Sequence, residues 1–423
     1  MKKSMIVNIA QLATPVGKQA VAGKAMHTLH IIENAAIYIE DGIIKKVGTQ
    51  KEIMKDFVEN GVDMSDIEFI SAKGHAVIPG FVDSHTHFVF GGYREEEFIN
   101  RLSGMEYMEI MKRGGGIQST VCATRDASRQ ELYDSGMNRL KSMLSQGITT
   151  VEGKSGYGLD KDCEIKQLSV MKELNDTQPI DIVTTYLGGH ASSDLFDNNE
   201  QYIHFMTDEV LPCVKESGLA EFCDVFCEDS VFSIEESRKI LSQAAKMGFK
   251  LKIHADEIIS LGGAQLAGEL RATSADHLLM VSDAGIEALE KHGVIATLLP
   301  CTAFCLNKPF APARKIIDSG CAVALASDLN PGSCFANSIA LMLALAVIKM
   351  NMSIEEAVTA LTLNGAAAVN RADIIGSIEE GKKADLVVLD YPSYKFLVYH
   401  TGTNIVSKVI KEGKVVYEDP ICK

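Results

Sequence analysis

Short apolar runs alternate with helical patterns through the middle of the chain. A short apolar run bounded by polar or glycine residues is typical of a strand that is buried on both faces. Eight such runs occur, at Phe81–His87, Ile148–Glu152, Asp181–Leu187, Glu221–Cys227, Phe249–His254, Ala272–His277, Val294–Leu299 and Ala322–Ala326. Helical patterns between them include Glu164–Asn175, Ile234–Met247, Ser260–Glu269, Asp283–Lys291 and Ala313–Ser319. Strands that alternate with helices form a parallel sheet, and eight repeats predict a (β/α)8 TIM-like barrel rather than a doubly wound sheet.

Both ends of the chain have a β-rich pattern instead. Candidate strands are Thr28–Ile32, Ala36–Ile39 and Ile43–Val47 near the start, and Ala384–Leu389, Val406–Ile410 and Lys414–Tyr417 near the end. Each group is too small to enclose a core, so we expect one small β-sandwich built from both termini; two independent flaps are the alternative. The predicted domains are residues 1–78 and 377–423 for the two parts of the sandwich and 79–376 for the barrel.

Composition narrows the class of protein. The chain has 423 residues, is 46% hydrophobic and carries a net charge of −15, which argues against nucleic acid or an anionic membrane as a partner. Its 10 cysteines include no CxxC pair, so we expect reduced thiols in a cytoplasmic protein. Asn8 and Gln11 interrupt the apolar start, which makes it a poor signal peptide, and the apolar stretch Ile339–Ile348 is too short to span a membrane and predicts a buried helix.

Histidines and carboxylates collect where the predicted strands end. In a barrel of this type the carboxyl ends of the strands form the active-site face. The residues there include His85, His87, His190, His254, Glu257, His277 and Asp328. Side chains two apart on a strand point the same way, so His85 and His87 form a pair of imidazoles. Alone, such a pair is more often two histidines hydrogen-bonded to neighbours; with His254 and Asp328 it gives a ligand set that suits zinc or ferrous iron.

Longer motifs carry a resemblance to a known family. They are PGFVDSHTHFVFGGYREEEF, MKRGGGIQSTVCATR, VEGKSGYGL, AEFCDVFCE, KIHADEI, SADHLL and ALASDLNPGS, followed by GSIEEGKKADLVVLD. Together they resemble the amidohydrolase superfamily, and within it the hydrolases of histidine degradation. The resemblance implies a barrel hydrolase with one divalent ion per chain, zinc or iron, held by His85, His87, His254 and Asp328. It also implies a homodimer that opens the ring of a small-molecule substrate, 4-imidazolone-5-propanoate, at its cyclic amide C–N bond.

The same resemblance assigns roles to residues around the metal. Substrate contacts fall on Arg94, Tyr157, His190, Glu257, Asn330, Gly332 and Ser333, and catalytic roles on Glu257, His277 and Asp328. Arg94 can hold a carboxylate through two hydrogen bonds, although its neighbours 95–97 are glutamates and a surface ion pair is the simpler interpretation of its sequence context. His190 can donate to the ring carbonyl. Glu257 can accept a proton from water or bind a ring nitrogen; its alternative is a carboxylate at a helix N-terminus.

Other interpretations stay open at this point. A second metal at His277 and Glu228 would make the site binuclear; Lys154 lies on the wrong strand for a bridging ligand. A purine or pyrimidine deaminase would share the barrel and the metal, and a non-catalytic relative would lose ligands that this chain keeps.

The long first βα unit contains Gly114–Gly116, a loop that we expect to cover the site.

Overall fold

The amino-terminal strands begin a sheet that the carboxyl-terminal strands complete. A computed structural model describes residues 2–105, 109 and 115–420. The first strands are β1 (Lys3–Thr14), β2 (His30–Glu40), β3 (Ile43–Thr49) and β4 (Ile67–Pro79), with a 3-10 turn at Gly23–His27 and helix α1 at Gln50–Glu59. Helix α1 begins with a capping box, in which Thr49 and Glu52 satisfy each other's backbone N–H groups. Its apolar face packs Ile53 and Phe57 against the sheet.

A parallel sheet of eight strands follows within the described residues. Its strands are β5 (Phe81–Asp83), β6 (Ile148–Lys154), β7 (Asp181–Gly189), β8 (Phe222–Cys227), β9 (Lys250–Ala255), β10 (Ser274–His277), β11 (Ile295–Leu298) and β12 (Val323–Leu325). They are hydrogen-bonded in sequence order. Each overlaps one of the eight apolar runs, so the barrel prediction is confirmed.

Helices surround the barrel as the 3.6-residue pattern predicts. After β5 come α2 (Glu95–Leu102), α3 (Ile117–Asp126) and α4 (Arg129–Ser145). The later ones are α5 (Lys161–Thr177), α6 (Asn199–Phe205), α7 (Leu211–Glu216), α8 (Ile234–Lys246), α9 (Gly263–Leu270), α10 (Asp283–His292), α11 (Pro300–Cys305), α12 (Ala313–Asp318), α13 (Ile339–Ile348), α14 (Ile354–Leu361) and α15 (Leu363–Ala368), with a π-helical turn at Met206–Val210. Across the described residues, no helix combines the length and the hydrophobicity that a membrane span requires.

The last strands return to the first sheet. They are β13 (Leu386–Leu389), β14 (Val406–Lys411) and β15 (Lys414–Glu418), with a short helix α16 (Phe396–Tyr399). In the described part of the chain they join β1–β4 in one seven-stranded sheet, ordered β15-β14-β13-β4-β1-β2-β3. The predicted union of both termini is confirmed, whereas the exact domain boundaries remain predictions.

Gly80 links this sheet to the barrel. It separates β4 from β5, and its N–H donates to the carbonyl of Asp385 at 2.8 Å. A Cβ atom at Gly80 would lie 2.3 Å from Thr149 Oγ1, so only glycine fits where the chain enters the barrel. The sheet and the barrel therefore meet at the start of the strand that leads to His85 and His87.

The barrel closes between its first and last strands at their carboxyl ends. The Asp328 N–H donates to the His85 carbonyl at 3.0 Å, and the His87 N–H donates to the Leu329 carbonyl at 2.9 Å. Strand β5 itself ends at Asp83, shorter than predicted, and the histidines continue it as an irregular segment. Closure therefore brings Asp328 beside both histidines.

Candidate metal centre and active site

Four buried side chains converge where the barrel closes. Asp328 Oδ1 lies 3.6 Å from Nε2 of both His85 and His87. One ring nitrogen each of His85, His87 and His254 lies within 4.8 Å of the others. All four side chains are nearly inaccessible to solvent. The structure thus brings together the metal-ligand set that the sequence predicts.

Their geometry and chemistry fit a divalent ion. Tetrahedral zinc with ligands at ~2.1 Å separates neighbouring ligand atoms by roughly 3.4 Å, close to the Asp328–histidine distances. Nε2 of His85 and Nε2 of His254 are buried without a hydrogen-bond partner among the described residues, which a cation would supply. Burial lowers the pKa of His85 and of His87 well below the usual value, so both rings are neutral, the form in which an imidazole can bind a metal ion.

Asp328 and His277 are held in unusual backbone conformations. Their φ angles are +53° and +78°, a region that costs energy for residues with a side chain. Thr302 Oγ1 donates to Asp328 Oδ2 at 2.7 Å and orients the carboxylate. Burial nevertheless raises the pKa of Asp328 to about 6. The fold thus holds the Asp328 carboxylate in a buried position, although its ionised form would be more stable in water.

Glu257 lies beside His277 on a loop that two other carboxylates shape. Glu257 Oε2 is 3.6 Å from His277 Nδ1. Asp256 accepts from the N–H groups of Gly262, Gly263 and Ala264. Glu228 accepts from the N–H groups of Asp229 and Ile258, at 3.1 and 2.9 Å. These contacts use the Glu228 oxygens for the loop, which disfavours a second metal at Glu228.

Burial, and next the charge of Asp328, raise the pKa of Glu257 to about 8. Burial also lowers the pKa of His277 well below the usual value. A divalent cation at the neighbouring ligands would favour the ionised form of Glu257. The pair thus combines a carboxyl group able to hold a proton with a neutral imidazole.

His190 and Tyr157 form an aromatic wall next to the histidines. His190 stacks on His87, with ring centroids 4.7 Å apart, and Tyr157 lies 5.1 Å from His190. His190 Nδ1 is 3.2 Å from the carbonyl of Gly156, a contact that requires a proton on Nδ1. Burial lowers the pKa of His190 to about 3, so the ring is neutral and its Nε2 is an acceptor.

Arg94 lies at the edge of the site in a buried ion pair. Its Nε donates to Glu97 Oε2 at 2.9 Å, and its Nη2 donates to Glu97 Oε1 at 2.5 Å. The side chains are only 11% and 7% exposed, so the pair with a neighbouring glutamate exists but does not lie on the surface. Glu97 also accepts from the Gly116 N–H at 2.8 Å. Gly114, in the predicted covering loop, lies outside the described residues.

The Asn330–Ser333 turn closes the same edge. Asn330 Oδ1 accepts from the N–H groups of Gly332 and Ser333, each at 2.8 Å, and its Nδ2 donates to the Asp328 carbonyl and to Ser333 Oγ. The amide is thus occupied in shaping the turn. Arg94, Gly332 and Ser333 line a cavity of about 350 Å³ together with Phe98 and Phe335.

Sequence reasoning missed the charged residues below the histidines. Glu152, Lys154, Asp224, Lys252 and Asp276 are completely buried inside the barrel. A signal was present in the sequence: a charged residue lies within an apolar strand, two positions from another polar residue, as Lys252 does from His254. Residues at this spacing point to the same face of the strand. Of these five residues, the sequence analysis considers only Lys154, as a bridging ligand on the wrong strand.

Comparison with known proteins assigns the chain to a class. Residues 76–416 match the family model described as "Amidohydrolase family". A zinc-bound adenosine deaminase from Xanthomonas campestris superimposes with a TM-score of 0.70 at 18% identity, covering 97% of this chain and 92% of that one. A guanine deaminase from C. acetobutylicum gives 0.69 at 17%, covering 98% and 100%. At these identities the deaminases show the fold alone. The chain belongs to the amidohydrolase family, whose members are metal-dependent.

Much nearer relatives place it within that family. The imidazolonepropionase of Clostridium tetani is 57% identical over 421 residues, which cover 99% of both chains. That of Parabacteroides distasonis is 55% identical over 98% of both. The chain belongs to the imidazolonepropionases, as its motifs indicated.

Proposed function

We propose that this chain is a metal-dependent hydrolase that opens 4-imidazolone-5-propanoate to N-formimino-L-glutamate. The observation that carries the proposal is the full-length relation, at 57% identity, to an imidazolonepropionase. The His85, His87, His254 and Asp328 cluster supplies the chemistry that such a reaction needs. A zinc or iron ion held there would lower the pKa of bound water towards ~7 and polarise a carbonyl oxygen.

The reaction adds one water across the ring amide. The water oxygen forms a bond to the carbonyl carbon, the C–N bond breaks, and that carbon becomes a carboxylate. One proton of the water goes to the departing ring nitrogen, and the proton of the new carboxylic acid is released. A group of the protein must therefore accept a proton from the attacking water and deliver it to the departing ring nitrogen.

Glu257 is our candidate for that transfer. Its carboxylate lies on a loop braced by Glu228 and Asp256, and it faces His277 at 3.6 Å. A carboxyl group whose pKa is raised by burial holds a proton readily, so it can accept one from water and pass it on. His277 and Asp328 border the same space and orient the water and the proton carrier.

The remaining residues position the substrate. Arg94 offers the guanidinium that suits the propanoate carboxylate, and Tyr157 can add a hydroxyl. With its proton on Nδ1, His190 accepts a hydrogen bond from a ring N–H; donating to the ring carbonyl would require the disfavoured imidazolium. The Gly332 and Ser333 N–H groups and the Ser333 hydroxyl all donate to Asn330 Oδ1, so a contact between the tail and any of these three residues would replace one of those bonds.

The experiment pairs a metal assay with a substrate assay. Purified protein should hold about one zinc or iron per chain and abolish the ultraviolet absorbance of the imidazolone ring, with N-formimino-L-glutamate as product. Chelation should stop the reaction and metal should restore it. Ammonia release from a purine or pyrimidine, with no imidazolone consumption, would favour the deaminase alternative.

We also propose that the protein is a cytoplasmic homodimer. The nine cysteines of the described residues are all free thiols, which supports the cytoplasmic, reducing compartment.

A further inference from the structure

A group of charged side chains fills the barrel directly below the metal-ligand cluster. It consists of Glu152, Lys154, Asp224, Lys252 and Asp276, from strands β6, β8, β9 and β10, and we call it the barrel charge network. All five are 0% exposed. Buried charges are retained only where each has close partners, because desolvation is expensive. Five of them inside one barrel require an explanation.

The two lysines hold the three carboxylates together. Lys154 Nζ lies 2.7 Å from Asp224, 3.0 Å from Glu152 and 3.8 Å from Asp276. Lys252 Nζ lies 3.3 Å from Glu152. Since each ammonium touches carboxylates from different strands, the network fixes those carboxylates relative to one another.

Two of the carboxylates touch metal-ligating histidines from below. Asp276 Oδ2 accepts from His85 Nδ1 at 2.6 Å. Asp224 Oδ2 lies 3.0 Å from His254 Nδ1. A carboxylate against Nδ1 keeps the proton on that nitrogen and leaves the Nε2 lone pair for an ion. Both Nε2 atoms lack a hydrogen-bond partner among the described residues; His254 Nδ1 also lacks one by geometry, so its 3.0 Å contact with Asp224 is an ion-pair distance.

Lys252 makes a further link to the ligands. Its Nζ donates to the carbonyl of Ser84 at 3.0 Å, one residue before His85. The same side chain therefore constrains the backbone that carries the first two ligands. Strand β9 also carries His254, two residues after Lys252, so one strand holds a ligand and part of its support.

The formal charges also favour a role for the barrel charge network in supporting the metal ligands. Three carboxylates and two ammonium groups leave one negative charge, and Asp328 adds a second. Together they match a divalent cation, and without the lysines the site would hold a large excess of negative charge. The ammonium groups also lie close to Glu152 and Asp276. Without these ammonium groups, the two carboxylates and His85 would form a second cluster with the spacing of metal ligands.

We propose that Asp276 and Asp224 are positioning residues that set the tautomer and orientation of His85 and His254 for metal binding, and that Lys154 and Lys252 hold those carboxylates in place. The inference rests on the proposed metal-dependent function. Because these residues orient the metal ligands, we expect their substitution to weaken metal binding directly and to affect the hydrolysis step only through that loss.

The test uses Asp276→Asn and Asp224→Asn in the full chain. Metal is removed by chelation, and Zn²⁺ affinity is measured by competition with a chromophoric chelator; Co²⁺ absorption reports the ligand geometry. Each variant should bind Zn²⁺ about 10–100-fold more weakly and give an altered Co²⁺ spectrum. Circular dichroism and thermal melting of the metal-free forms check the fold.

Asp385→Asn is the matched control. Asp385 is a buried carboxylate paired with Lys411 at 2.6 Å in the terminal sheet. Its substitution removes a buried negative charge of the same kind, and it should leave both the Zn²⁺ affinity and the Co²⁺ spectrum unchanged.

The outcomes separate this inference from the proposed function. A folded Asp276→Asn or Asp224→Asn variant with wild-type Zn²⁺ affinity would overturn the inference while leaving the hydrolase assignment intact. A wild-type protein that binds no divalent ion would overturn both. Should the variants fail to fold, ¹⁵N-histidine NMR of the wild type decides: protons on Nδ1 of His85 and His254 support the inference, and protons on Nε2 refute it.

Discussion

Gly332→Ala tests whether the position of the Arg94 guanidinium determines substrate affinity. A Cβ atom at Gly332 would lie 2.3 Å from Arg94 Nη1 and 2.9 Å from its Cζ. Gly332 has no left-handed φ, so alanine is acceptable to its own backbone and the conflict is confined to Arg94. Normal contacts need roughly 3.5 Å, so the guanidinium must move by about 1 Å.

The expected magnitude follows from the bonds that hold Arg94. Its two hydrogen bonds to Glu97 resist the shift, and a carboxylate tail bound beside Gly332 would lose its alignment. One lost charge-assisted hydrogen bond costs about 1.5–3 kcal/mol, so kcat/KM should fall roughly ten- to hundredfold. Most of the change should appear in KM, because the tail is bound in the ground state as well as in the transition state.

Steady-state kinetics with a parallel metal assay measure the effect. Gly48→Ala is the control, because its nearest neighbour, Glu52 Oε2, lies at 3.7 Å and a Cβ atom there makes only ordinary contacts. Arg94→Met should reproduce the loss with metal retained, and the double variant should lose little more than Arg94→Met alone. Wild-type KM in Gly332→Ala, with metal bound, would refute Arg94 as the carboxylate anchor.

Three further predictions concern the metal and the proton carrier. His85→Ala or Asp328→Ala should remove the ion, measured by elemental analysis, because each deletes one of the four proposed protein ligands. Glu257→Gln should keep the metal but lower kcat by about 10²–10⁴, measured by the loss of ring absorbance. In metal-free protein, urea unfolding should show stability falling as pH rises from about 4.5 to 8, more steeply in the wild type than in Glu257→Gln. The folded state keeps a proton on Glu257, whose pKa is about 8, that the unfolded chain releases.

Different results would contradict each of these. Two tightly bound ions per chain would refute the single-metal site and return Glu228 and His277 to consideration as ligands. A raised KM at unchanged kcat in Glu257→Gln would make Glu257 a ring-binding residue. Identical pH profiles in wild-type and Glu257→Gln protein would mean that Glu257 is already ionised in the folded, metal-free state.

The sequence was sufficient to predict that the four proposed metal ligands lie close together, because they follow a rule of the architecture. Carboxyl ends of parallel strands meet at one face, so strand-end residues as distant in sequence as His85 and Asp328 become neighbours. The motif resemblance then supplied the substrate class. Both steps depend on local patterns, which a single chain displays.

Contacts across the barrel could not be predicted in this way. The pairing of His85 with Asp276 and of Lys154 with Asp224 depends on strand register and on which side chains point inwards at the same level. The Arg94–Glu97 pair was considered as an alternative, yet its burial depends on packing against Gly332. The hydrogen bonds of Asn330 were likewise decided by the turn conformation and not by residue type.

The position of β4 has a consequence for how the chain assembles. Strand β4 pairs with β1 on one side and with β13 on the other, so one edge stays open until Leu386–Leu389 has been synthesised, roughly 300 residues later. Barrel closure shortens that separation, because it brings Asp385 to Gly80. We therefore expect the terminal strands to pair after the barrel has closed, through the contact of β13 with β4. Barrel and sheet are thus joined through Gly80 at the start of β5, whereas the histidine cluster lies beyond the other end of that strand.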